Sequence, residues 1–217
     1  MSSAMLELIL EATFDTLYMV ALSGAVSAVI GIPLGVLLYV TRPGQILAQP
    51  AAQRVLGIVT NIGRSIPFII LMVAIIPFTR LVVGSSIGTN AAIVPLIIAA
   101  IPFVARLVEG ALNEIPPGLI EAAQAMGATP LQIITKVLLP EAKGGIINGL
   151  TITVVTLVSY SAMAGAVGGG GLGDLGIRYG YNRFEPLIML ITVAILVVMV
   201  QGFQSLGDRL VRKADHK

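Results

Sequence analysis

Residues able to do covalent or acid–base chemistry are scarce in this 217-residue sequence, and their spacing argues against that use. There is no cysteine, which removes thiol nucleophiles, disulfides and thiolate metal ligands. The single histidine, His216, lies at the carboxy terminus, where a frayed tail is expected. No carboxylate falls in the middle of an apolar stretch, as a proton relay would require. A G-x-x-x-x-G-K-[ST] loop is absent, so the chain has no Walker-type cradle for ATP phosphates. Gly168-Gly169-Gly170-Gly171-Leu172-Gly173 contains G-x-G-x-x-G, but it follows an apolar helix rather than a strand, so a dinucleotide site is rejected. Those glycines read instead as flexible chain. Basic residues are scattered singly, which argues against nucleic acid.

The segment 109–143 is patterned for docking rather than catalysis. Pro116-Pro117-Gly118 stops the preceding helix, and Leu119 to Met126 reads as a short helix closed by Gly127. A second helix starts with Thr129 as cap, Pro130 in first position and Gln132 three after the cap, and is expected to end at Leu139 before Pro140. Ala122, Ala123, Ala125 and Gly127 offer a smooth surface for another protein, and Glu121 puts an anion near the amino-terminal end of its helix.

These residues need a scaffold, and composition says what kind. The chain is 56% hydrophobic and 11% charged, with mean hydropathy +0.97, against about 25% charged in soluble domains. Such a surface needs an apolar solvent. The expected fold is all-α: one polytopic membrane bundle with five spans at about 17–40, 57–79, 90–108, 144–167 and 186–206. The first span reaches about 36 Å, enough for a hydrocarbon core of about 30 Å. Ahead of it, Glu7, Glu11 and Asp15 recur every four residues. They mark one face of a short interfacial helix, with Leu6, Ile9 and Leu10 opposite, and because no Lys or Arg precedes Arg42 a signal peptide is not expected.

Five spans put the termini on opposite sides. With the amino terminus outside, Arg42, Arg54, Arg106, Lys136, Lys143, Arg209, Arg212, Lys213 and Lys217 face inward, against Arg80, Arg178 and Arg183 outward. The positive-inside rule selects that orientation. Arg64 belongs near the inner interface, and Arg106 and Glu109 can pair along a helix face. Pro33, Pro67, Pro77, Pro95 and Pro102 lie within the spans, where neighbouring helices can satisfy the freed carbonyls. Gly31 and Gly35 supply a small-xxx-small packing seam. In the fourth span Tyr160, Ser161 and Met163 combine hydroxyls with a flexible thioether, and are candidates for a translocation pathway as well as for ordinary packing.

Glu121-Ala122-Ala123, three residues, Gly127, nine residues and Val137-Leu138-Leu139-Pro140 resemble the EAA loop of permease subunits of bacterial ABC importers, with Val137 where the family usually has isoleucine. The resemblance extends to Leu37 through Gln45, Arg64 through Leu71, Ile76 through Arg80 and Tyr160 through Met163, which look like the methionine ABC transporter permease family. It implies that Glu121, Ala122, Ala123, Gly127, Leu139 and Pro140 form the coupling loop to a separate ATPase. It further implies two copies of this chain, two ATPase subunits that carry ATP and Mg, and a substrate-binding lipoprotein outside. This chain would bind no cofactor, sit in the bacterial inner membrane and pass L- or D-methionine. The loop reports the class and not the cargo, so a permease for another amino acid or small solute stays open.

Overall fold

The computed structural model describes residues 3–214, and His216 and Lys217 lie outside the described residues. Among those described the chain is helical, without strands. The first helix, α1, runs unbroken from Ser3 to Val40. The expected interfacial helix is therefore not a separate element but continuous with the helix of the first span, because no breaker separates Asp15 from Leu17. Ile9 packs inward, whereas Leu6 and Leu10 are exposed.

The region expected as one span over 57–79 is three helices: α2 (Pro50–Ser65), α3 (Phe68–Ala74) and α4 (Ile76–Val83). Between α2 and α3 the chain bends by 100°. Proline at 67 disfavours the helical conformation of its predecessor, and Ile66 adopts φ −82°, ψ 122°. Pro77 opens α4 without requiring a lost donor. Pro95 and Pro102, in contrast, are carried inside the continuous helix α5 (Thr89–Asn113), as Pro33 is inside α1.

After α5 come α6 (Pro117–Ala125), α7 (Pro130–Ile133), a π-helical turn (Ile134–Leu138), α8 (Leu139–Glu141) and α9 (Lys143–Gly165). A short α10 (Gly171–Leu175) with its π-helical turn (Gly176–Tyr181) leads to α11 (Pro186–Ala214). Four helices, α1, α5, α9 and α11, are long and apolar enough to cross a membrane, and the bent pair α2–α3 adds a fifth when it is counted as one span.

The bundle is organised around α1 against α5. A β-carbon on Gly31 would lie 2.7 Å from the Val104 side chain. The small-xxx-small seam therefore brings two backbones together, as expected. The glycine run at 168–173 is not slack. The Gly168 carbonyl accepts from the Gly88 amide at 2.8 Å. The Leu172 amide donates to Thr16 Oγ1 at 2.9 Å, and side chains at Gly165 or Gly173 would strike the opposing backbone. Absent side chains here serve close approach between α10, α9 and α1.

Candidate functional site

Between the end of α5 and the start of α9 the chain folds into a compact hairpin. Gly127 has φ +77°, a conformation that costs other L-residues about 1–2 kcal/mol. Around it the Ala128 amide donates to the Ala123 carbonyl at 3.1 Å and the Gly127 amide to Gln124 at 2.9 Å, which is a Schellman closure of α6. Thr129 then caps α7 in a reciprocal box: its hydroxyl accepts from the Gln132 amide at 3.4 Å, and its own amide donates to Gln132 Oε1 at 2.8 Å. Pro140 does not end this helix. The chain passes through it after widening into the π turn, and Pro140 sits in the first turn of α8, where its missing donor costs nothing.

The hairpin is fused to the bundle. Ile120, Ala123, Ile133, Leu138 and Ala142 share one buried cluster with Val36, Tyr39 and Val40 of α1 and with Val104, Val108 and Leu112 of α5. Burying each large aliphatic side chain contributes about 1.5–3 kcal/mol. Hairpin and adjoining helix ends therefore pack as one body.

Of the residues expected to dock a partner, Glu121, Ala122 and Gly127 are exposed at the hairpin surface, as is Pro140. Ala123 is not: it faces the hairpin core, and Leu139 is half-buried. The smooth outer surface is thus Ala122, Ala125 and Gly127, with Ala123 acting from beneath. Two apolar residues that the sequence pattern did not single out protrude beside them, Met126 at 81% and Leu131 at 69% exposure, with Leu119 nearby in the chain. Glu121, Gln124, Gln132 and Lys136 surround them with exposed polar groups. An apolar patch rimmed by polar residues, outside the spans, is suited to a protein partner. Its signal in sequence is apolar residues flanking a turn, where solvation alone would favour polar ones.

Immediately above the hairpin lies a charged cluster. Glu109, only 2% exposed, pairs with Arg106 at 2.6 Å and with Arg42 at 2.6 Å. The Arg106 pairing follows the expected three-residue spacing, whereas Arg42 arrives from the α1–α2 connection and is invisible to local periodicity. Arg106 also donates to the Gly57 carbonyl at 3.1 Å and to Asn61 Oδ1 at 2.8 Å. Arg64 is exposed, its guanidinium over the Phe103 ring at 6.0 Å.

The fourth-span candidates divide. Tyr160 stacks on Phe68 with ring centroids 4.6 Å apart. Ser161 is buried and donates to the Val158 carbonyl at 2.8 Å. Met163 is 40% exposed, one turn from Tyr160. Tyr160 and Met163 share a helix face, and Ser161 points into the packing behind it. Among the described residues no group of three His, Cys, Asp or Glu side chains could hold a metal.

A family model described as binding-protein-dependent transport system inner membrane component matches residues 12–215. The chain is 64% identical over 211 residues to the probable D-methionine transport system permease protein MetI of Vibrio cholerae, covering 97% of this chain and 94% of that one. It is 58% identical over 217 residues to the D-methionine transport system permease protein MetI of Salmonella typhimurium, covering all of both. A solved structure described as an inward-facing conformation of the MetNI methionine ABC transporter matches with TM-score 0.98 and 56% identity across both full chains. An amino acid ABC transporter crystallised with histidines shares the fold at TM-score 0.78 and 20% identity. With nearly its whole length matched, the chain belongs to the family of binding-protein-dependent transport system inner membrane components.

Proposed function

We propose that this chain is the permease subunit of an ATP-driven importer that carries methionine, the D-isomer included, across the bacterial inner membrane. One observation carries the reading: an exposed apolar patch of Met126 and Leu131, with Glu121 exposed on the same hairpin, sits on a core continuous with the adjoining ends of α1 and α5. A partner pressing on that surface moves the helices, so work done outside the membrane reaches the pathway within it. The partner is a separate ATPase that binds ATP and Mg, present in two copies against two copies of this chain. A substrate-binding lipoprotein delivers cargo at the opposite face. The excess of Lys and Arg at the hairpin side supports a periplasmic amino terminus and a cytoplasmic carboxy terminus. Tyr160 and Met163 contribute the pathway surface, with Ser161 supporting it from the interior. The methionine assignment draws on relatives similar over nearly the full chain.

Reconstitution of this chain with its ATPase and binding protein tests the reading. ATP-dependent uptake of radiolabelled L- and D-methionine is expected. Uptake of another amino acid alone would overturn the cargo, and ATP-independent uptake would overturn the class.

A further inference from the structure

Three candidates stand outside the docking hairpin: the acidic groove between α1 and α10, the exposed apolar face of α11, and the buried Glu109 cluster. Glu11, Asp15 and Asp174 line the groove, with Arg178 paired to Asp174 at 2.8 Å, and nothing beside these carboxylates points to a ligand. Nothing identifies an occupant for α11 beyond lipid. The Glu109 cluster carries more.

Its geometry is that of a clasp. Only Gly57 and Thr60 of α2 are buried, so α2 has little apolar grip on the rest of the bundle. The polar grip comes from one side chain, Arg106, which reaches from α5 to the Gly57 carbonyl and Asn61. Glu109 orients that guanidinium from the same helix face. Its second oxygen takes Arg42, which also donates to Asn113 Oδ1 at 2.5 Å. A carboxylate this buried requires neutralisation, and two arginines supply it. Three helices thus meet on one carboxylate: the end of α1, α5 and, through Arg106, α2. From α2 the chain continues directly into the 100° bend and to Phe68, which stacks on Tyr160.

We infer that Glu109 and Arg106 are positioning residues for energy coupling: the Arg106 clasp transmits motion of the hairpin block to α2, and through the bend to the aromatic contact at Tyr160. The inference rests on the importer reading above. Packing at the buried inner cluster keeps the hairpin attached to α1 and α5 without the clasp, so its loss leaves ATPase docking intact and disconnects α2.

The test compares wild type, Glu109→Gln, Arg106→Lys and Asn61→Ala in the reconstituted complex with ATPase and binding protein, measuring methionine uptake and ATP hydrolysis in the same vesicles. Arg106→Lys retains the pair with Glu109 but loses the second nitrogen that reaches α2. Asn61→Ala removes an exposed acceptor without uncovering a charge. The expected result is a fall of about tenfold in methionine transported per ATP for Glu109→Gln and Arg106→Lys, within the usual range of intersite coupling, and a smaller fall for Asn61→Ala. Uptake and hydrolysis falling in parallel would overturn the inference in favour of a role in assembly, as would an unchanged ratio in all variants. Should Glu109→Gln fail to assemble, the Arg106→Lys and Asn61→Ala ratios decide. Absence of methionine uptake by wild type would instead sink the importer reading, which keeps the two failures distinct.

Discussion

A β-carbon placed on Gly35 of α1 would lie 2.6 Å from the carbonyl oxygen of Ala105 on α5. That is backbone against backbone, with no flexible side chain to yield. Gly35→Ala is therefore expected to destabilise the subunit by about 1–3 kcal/mol, an overpacking cost. Gly202 of α11 has open space around it, and Gly202→Ala should stabilise that helix by about 0.5–1 kcal/mol. Thermal unfolding of the detergent-solubilised complex separates the two, and equal melting shifts would contradict the packing account.

At Gly127 the constraint is conformation rather than space, since nothing lies near the position a β-carbon would take. Gly127→Asn should be tolerated better than Gly127→Ala, and Gly127→Val least, because Asn alone among them visits the left-handed region readily. The Ala variant is expected to lose about 1 kcal/mol of hairpin stability. Amide hydrogen exchange across 117–139 reads this directly, and the reverse order would show a steric rather than conformational demand.

Met126 and Leu131 are expected to anchor the ATPase. Replacing either with Asp should weaken association by more than about 1 kcal/mol, as for central apolar anchors at other interfaces. Glu121→Lys should reduce transport as well, by reversing the one exposed charge on the outer face of α6. Co-purification of the ATPase with each variant is the measurement. Undiminished recovery with both Asp variants would place the docking surface elsewhere.

In the fourth span, Met163→Ala should alter methionine uptake or basal ATP hydrolysis, because Met163 is an exposed, flexible side chain beside the stacked Tyr160–Phe68 pair. Tyr160→Ala removes that stack, which is worth about 0.5–1.5 kcal/mol beyond area burial. Unchanged uptake and unchanged basal hydrolysis in Met163→Ala would remove it from the pathway.

Much of this architecture is local and hence legible in the chain. The hairpin could be read because Thr129, Pro130, Gln132 and Gly127 each act within four residues of themselves. The Gly31–Gly35 seam could be read because small residues at that spacing have one common use. What escaped was whatever depends on partners distant in sequence. Arg42 looks like a loop cation until Glu109, 67 residues away, is brought beside it. Ala123 looks like its exposed neighbour Ala122 until the hairpin closes over it. Prolines show the same limit: Pro67 stands at a helix break, whereas Pro33, Pro95 and Pro102 lie inside continuous helices, and the residue type alone does not separate them.

The unbroken α1 has a mechanical consequence. At 38 residues it is about 57 Å long, nearly twice the hydrocarbon thickness of about 30 Å. Two clusters hold it, one towards each end: Val36, Tyr39 and Val40 pack with the hairpin, and Ile9 and Ala12 pack with Leu172 and Leu175 of α10 and Ile188 of α11. A stiff rod anchored at both ends leaves no slack between them, so a shift of the hairpin end is carried along the helix axis to the α10–α11 end.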